Sequence, residues 1–509
     1  MTAAIEPGLA GGAAARETTG GALLWRRALW IVAGLTLLRW LVLALSPLEL
    51  HGDEAQYWTW SQDLDFGYFT KPPLIAWLIA ATTTLFGDAP FGVRFAAPLC
   101  HAIAALFIGL AGRALLAGGD GGGRDRASRI GGLAMLAYAT MPAVSFSSLI
   151  MSTDAPLLAF WAVALWAFVR LLQTRAIGWA LLCGLAVAVG LNAKYAMGYF
   201  LLCAALAGLL LRDARWLWRS VRWPVLAVVG LAGLIPNLVW NMANGWATVG
   251  HTAENANWQG PLLHLDKGLE FAASQFGVFG PILFAVLLVL FWQWARGRAG
   301  ADLRLWLWFA APVLALIAVQ AFLSRANANW AATAYASASI AVMIWLAAPH
   351  RRRWLCASFG LHAVVAGGLY LFVVLANVMP WPSGRDPFGA LRGWDEAGRA
   401  VADALAQDAA GGSGRLVLSD DRMLLASLLY ATRGSDLRFA AWDADGVPGN
   451  HYELAIPYDK AARPPALLVS EYPDRVDITG NFSTVGEQIT VNIRIGEGME
   501  RVLYLTMLN

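Results

Sequence analysis

The sequence predicts a polytopic α-helical membrane protein with a C-terminal soluble α/β domain, and three observations predict it. Of 509 residues 58% are hydrophobic and only 14% charged, and mean hydropathy is +0.54; a soluble domain runs near half apolar and a quarter charged. That balance excludes an ordinary cytosolic enzyme and a disordered chain. The 25 tryptophans are the second observation, because indoles collect where hydrocarbon meets water. The third is a change to soluble-domain composition after Met379-Pro380-Trp381-Pro382. A net charge of +3 is too small to argue for nucleic acid.

Residues 1–24, mostly Ala, Gly, Thr and Glu, read as a flexible tail without a signal pattern. Trp25-Arg26-Arg27 then precedes an apolar run over 28–45, which suits a first span starting in the cytoplasm. Further runs lie at 92–115, 130–149, 155–172, 177–192, 196–211, 223–241, 271–294, 305–323, 329–347 and 355–377. That makes about eleven spans. The short run 72–86 reads as an interfacial or re-entrant helix, because counting it as a span would put an arginine-rich loop outside. In the soluble domain, 393–409 reads as an amphipathic helix, 415–418 as a strand, 422–430 as a helix and 489–507 as alternating strand sequence.

With this topology every arginine cluster falls in the cytoplasm: Arg26-Arg27, 113–129, Arg175, 212–222, 296–304 and 351–353. Of 37 basic residues only four are lysines, Lys71, Lys194, Lys267 and Lys460. The expected spans hold no Asp or Glu; Arg39 lies well inside one and is expected to snorkel or to meet a loop carboxylate. Cys100, Cys183, Cys203 and Cys356 fall in apolar runs and read as small buried hydrophobes.

The opposite, external face collects the candidate chemistry. Asp53 and Glu54 are adjacent, so on a helix they point about 100° apart and divide into one carboxylate for chemistry and one for support. Lys71 precedes Pro72-Pro73 at the start of the interfacial helix, where an ammonium and a helix N-terminus both attract an anion. Asp154 follows Ser152-Thr153 and is explained structurally as a helix N-cap. His251 and Glu254 have helical i, i+3 spacing, a weak metal signal. Arg325, Asn329 and Trp330 cluster where another span begins. A base, cations and aromatic walls such as Tyr57 and Tyr68 fit sugar transfer from a lipid phosphate, in which a carboxylate deprotonates the acceptor and the phosphate leaves without a protein acid.

The strings Asp53-Glu54-Ala55-Gln56-Tyr57-Trp58, Gly67-Tyr68 and Lys71-Pro72-Pro73-Leu74 resemble the first external loop of GT-C glycosyltransferases. The branch is that of aminoarabinose lipid A transferases and protein mannosyltransferases. Phe86-Gly87, Arg94-Phe95, Ser152-Thr153-Asp154, Ala193-Lys194 and Asn329-Trp330 continue the resemblance over about residues 25–380. It implies a GT-C fold with about 11–13 transmembrane helices plus juxtamembrane helices within 50–90, and a periplasmic domain over 381–509. It implies an inverting transferase of the bacterial inner membrane, taking an undecaprenyl- or polyprenyl-phosphate sugar and giving it to a lipid or glycan acceptor. Asp53 is then the base, Asp154 a second site acid, and Lys71 a phosphate ligand. The aminoarabinose transferases usually carry Arg where this chain has Gln56, so one cation is missing and Lys194 or Arg325 is expected to replace it. His251, Glu254 and Asn329 are candidate pocket residues, and no convincing divalent-metal ligand set is visible.

Two other function classes compete with the transferase. A transporter or flippase would carry charged or broken mid-membrane helices and a repeat, neither of which the sequence shows. A receptor or scaffold would use the C-terminal domain, whose Asp420-Asp421 pair reads as a helix cap.

Overall fold

In a computed structural model of the chain, residues 8–116, 121–255, 257–258, 263–379, 384–408 and 416–509 are described. The start of the expected tail at 1–7, the expected boundary at 380–382 and Arg415 lie outside them. The chain divides into two compact units, Met1–Leu43 with Arg94–Tyr370 and Ala44–Val93 with Leu371–Asn509. The second unit joins the first expected external loop to the C-terminal residues, a grouping the expected boundary near 380 did not contain.

The first unit is helical. Six helices among the described residues are long and apolar enough to cross a membrane: Gly20–Leu45, Pro90–Leu116, Asp154–Thr174, Arg222–Ala243, Ala301–Leu323 and Pro349–Val374. Each matches an expected span. The helix ending at Leu45 begins at Gly8, so residues 8–24 are helical rather than a loose tail. Ile177–Ala193 and Ala334–Leu346 are apolar but have 17 and 13 residues, short of the ~20 that cross a bilayer.

Expected spans are interrupted, or turn sharply at an end. The run 130–149 stops at Thr140, because Pro142 cannot continue the helix and starts a new short one, Pro142–Ser147. Tyr195–Leu210 turns by 110° into Arg212–Arg219. The run 271–294 is two helices, Leu265–Phe279 and Pro281–Ala295, meeting at 117°. Gly280 makes that bend: its φ is +95°, and a Cβ there would overlap Nε2 of His362.

Buried aromatics fix the first unit's core. Phe200 packs against Trp161 at 5.2 Å and Phe309 at 5.1 Å between ring centres. Arg39 does not snorkel, and among the described residues it meets no carboxylate: it is buried, donating through Nε to Tyr370 Oη at 2.8 Å and through Nη2 to the Ala139 carbonyl at 2.5 Å. Arginines of the expected cytoplasmic clusters lie on indole faces, Arg113 on Trp25, Arg175 on Trp216 and Arg351 on Trp345. A planar guanidinium stacks this way better than an ammonium, which gives a reason for the preference for Arg. Cys100, Cys183 and Cys203 are buried thiols, whereas Cys356 is exposed, against expectation.

The second unit is α/β. Strands β1 (Leu416–Ser419), β2 (Arg438–Ala441), β3 (Ala466–Ser470), β4 (Ile489–Gly496) and β5 (Met499–Leu508) form one sheet in the order β2-β1-β3-β5-β4. β1 pairs parallel with β2 and β3, while β5 runs antiparallel to β3 and β4. The sequence 489–507, expected as one strand stretch, is the β4–β5 hairpin. Side chains alternate across the sheet: Val417, Leu467 and Val469 meet Trp394–Asp408 and Arg422–Ala431 on one face, and Leu416, Leu418 and Leu468 meet Trp442 and Tyr458 on the other. Both helices were expected. Glu49 ties the early segment to this domain, accepting from the N–H groups of Trp394 at 2.7 Å and Asp395 at 3.1 Å, where a helix N-terminus favours an anion.

Candidate active site

The Gly52–Gln62 helix opens with a reciprocal cap that engages one of its two acids. His51 Nδ1 accepts from the Asp53 N–H at 3.2 Å, and Glu54 Oε2 accepts from the His51 N–H at 3.1 Å. Buried Glu54 therefore supports the helix start. His51 Nδ1 also lies 3.9 Å from Asp53 Oδ2.

Asp53 stays partly exposed, with 45% of its side chain open to solvent. Its Oδ1 accepts from Arg422 Nη1 at 3.1 Å, and the same Nη1 donates to the buried Gln56 Oε1 at 2.7 Å. No side-chain partner closer than His51 is seen for Oδ2 among the described residues. Asp421 supports Arg422 by capping its helix, accepting from Met423 N–H at 2.7 Å and Leu424 N–H at 2.8 Å. The neighbouring Asp420 pairs with Arg475 at 2.7 Å.

The aromatic residues expected as walls pack against one another. Tyr68 is buried and stacks on Trp60 with ring centres 4.6 Å apart. Its hydroxyl lies 2.9 Å from the Trp60 carbonyl and 3.0 Å from that of Asp63, and it accepts from the Asp65 N–H at 3.1 Å. Burial pushes this phenol up to about 12. Tyr57, one turn earlier on the same helix, lies 5.2 Å from Trp60. Lys71 is half-buried ahead of Leu74–Phe86, and its carbonyl accepts from the Tyr68 N–H at 3.1 Å. At 13 residues that helix is about 20 Å long, too short to span.

In the first unit, three residues singled out by the sequence meet. Asp154 is the first residue of Asp154–Thr174, not its cap; the N-cap is Thr153, whose side chain makes no capping bond. Instead Asp154 Oδ1 accepts from Lys194 Nζ at 2.7 Å and Oδ2 from Asn329 Nδ2 at 2.6 Å. The side chains of Asp154 and Lys194 are 10% and 22% exposed. Lys194 is thereby placed beside a carboxylate, which balances part of its charge. Arg325 is exposed, with no side-chain partner among the described residues. On the Ala247–Glu254 helix, His251 Nε2 lies 3.0 Å from Asn255 Nδ2, and Glu254 is exposed. Among the described residues no three His, Cys, Asp or Glu gather as metal ligands.

A family model described as dolichyl-phosphate-mannose-protein mannosyltransferase matches residues 70–240. The lipid A galacturonosyltransferase RgtD of Rhizobium johnstonii is 36% identical over 438 residues, which is 85% of this chain and 89% of that protein. The chain belongs to the GT-C glycosyltransferases. A Pseudomonas aeruginosa undecaprenyl phosphate-alpha-4-amino-4-deoxy-L-arabinose arabinosyl transferase is 30% identical over 221 residues, covering 39% of this chain and 38% of its own. ArnT from Cupriavidus metallidurans, in a crystal structure bound to undecaprenyl phosphate, shares the fold at a TM-score of 0.62 and 17% identity, over 94% of this chain and 97% of its own.

Membership of the GT-C family decides among the three function classes in favour of the enzyme. It is a multi-pass membrane protein. Within this GT-C chain the sequence reasoning missed Arg422, whose only local clue is an arginine in the first turn of a helix, where the dipole disfavours it. It also missed His451, which packs edge-on to Trp60 at 5.4 Å; burial pushes its imidazole down to about 4.

Proposed function

We propose that this enzyme transfers a sugar, with inversion, from a polyprenyl-phosphate carrier to lipid A or an envelope glycan at the periplasmic face of the inner membrane. The observation that carries the reading is Asp53: a partly exposed carboxylate with Oδ1 held by Arg422 and Oδ2 left to take a proton. Oδ2 takes the acceptor hydroxyl proton, and the oxygen bonds to the anomeric carbon opposite the phosphate. The bond from that carbon to the phosphate oxygen breaks, and the carrier phosphate leaves with the electron pair. Lys71 offers charge to that phosphate. Arginines on alternate loops support the orientation.

Galacturonic acid is the sugar of the relative matched over 85% of the chain, and aminoarabinose that of the relative matched over 39%. The test supplies each sugar on undecaprenyl phosphate, with lipid A as acceptor, to membranes containing the enzyme. Transfer of one sugar that disappears in Asp53→Asn supports the mechanism; transfer unchanged in Asp53→Asn overturns it. Transport of the carrier into proteoliposomes without a covalent product would overturn the transferase reading itself.

A further inference from the structure

Arg422 stands where local helix energetics would not choose it. It is the first residue of Arg422–Ala431, and a cation in a first helical turn costs about 0.3–1 kcal/mol against the macrodipole. A residue that breaks a local rule without a local gain marks a site where a tertiary role prevails. Here the gain is tertiary: Nη1 bridges Asp53 Oδ1 at 3.1 Å and Gln56 Oε1 at 2.7 Å. Asp53 and Gln56 are i, i+3 on one helix face, so a single donor nitrogen reaches both.

The surrounding contacts hold the guanidinium in place. Gly52 packs against the Met423 side chain at the start of the Arg422–Ala431 helix, where an added Cβ would lie 3.4 Å from Met423 Cβ. Tyr430 Oη donates to the Asp88 carbonyl at 2.6 Å, and Trp58 Nε1 donates to Asp88 Oδ1 at 2.8 Å. Trp58 and Tyr430 pack edge to face at 5.1 Å. Gln56, 1% exposed, needs a donor for its amide oxygen, and Arg422 supplies it.

We infer that Arg422 is a positioning residue for sugar transfer: it acts through Asp53, fixing Oδ1 so that Oδ2 presents to the acceptor hydroxyl, and it supplies from the C-terminal domain the cation that Gln56 does not. The inference rests on Asp53 as base. It makes the C-terminal domain part of the reaction machinery rather than an accessory.

The test compares full-length Arg422→Gln, Arg422→Lys, Asp53→Asn and the double variant Arg422→Gln with Gln56→Arg, using undecaprenyl-phosphate galacturonic acid and lipid A. Arg422→Gln is expected to lower kcat about 100-fold, in the range a misplaced base costs, with donor KM within about twofold. Arg422→Lys recovers about tenfold through one bond. Gln56→Arg also recovers activity, because it returns a cation beside Asp53 without touching the C-terminal helix. In an Asp53→Asn background Arg422→Gln should add no further loss. Retained kcat in Arg422→Gln overturns the inference, as does a loss that neither Lys nor Gln56→Arg rescues, which marks a purely structural contact. If Asp53→Asn keeps full turnover, the base itself is wrong; if Asp53→Asn is inactive while Arg422→Gln is unaffected, only the role of Arg422 falls.

Discussion

Lys194 and Asp154, forty positions apart, form a 2.7 Å ion pair whose carboxylate is completed by Asn329 on its other oxygen. Removing one partner of such a buried pair costs more than removing both, because the survivor keeps its desolvation penalty. Lys194→Ala is expected to destabilise the protein by about 3–5 kcal/mol. Asn329→Ala, which removes one hydrogen bond, should cost about 1–3 kcal/mol. Thermal unfolding in detergent checks both, and the Asp154→Ala, Lys194→Ala double variant should be more stable than Lys194→Ala alone.

The two acids of the first loop separate by variant. Asp53→Asn is expected to abolish most turnover, roughly 100-fold or more. Glu54→Gln keeps an acceptor for the His51 N–H and should retain most activity, whereas Glu54→Ala should lose about 1 kcal/mol of stability with the cap. Initial rates and melting curves on the three variants test the division; equal loss of turnover in Asp53→Asn and Glu54→Gln would contradict it.

Gly280→Ala should be among the most damaging small substitutions. The residue would be strained at φ +95° and its methyl would strike His362. We expect a loss of about 2–4 kcal/mol, of which His362→Ala restores the steric part alone. Melting temperatures of the two single variants and the double variant measure the cycle.

His451 gives the second unit a pH dependence. Its imidazole is pushed from about 6.5 to about 4 by burial. Between those values the unfolded chain binds a proton that the folded chain refuses, so stability rises with pH through that window and is fully present above it. Acidifying from pH 6.5 to pH 4.5 should therefore lower the melting temperature. His451→Phe keeps a ring against Trp60 and should flatten that slope; an unchanged slope would assign it to other groups.

Much of the fold was legible because membrane insertion is a local property of the chain. A run of apolar residues and the placement of arginines depend on a window of about 20 positions, and six long helices lie where those windows put them. Proline and glycine at Pro142 and Gly280 carried the interruptions, but in a strongly apolar run hydropathy conceals a bend that depends on a close approach to His362. The acid and the lysine of the Asp154 group were legible as residue types, since charge in an apolar chain is scarce. Their pairing was not, and Asp154 was explained by a cap that its carboxylate does not make.

The sequence by itself determined the membrane class, the helices of the C-terminal domain, the family and Asp53 as the residue to watch. Only the tertiary structure decided what holds Asp53. Its partner Arg422 lies 369 positions away, and Gln56 meets the same nitrogen across 366. A bond at that separation leaves no periodicity to read: it exists because residues 44–93 fold with the C-terminal domain, where Asp53 and buried Gln56 meet one guanidinium.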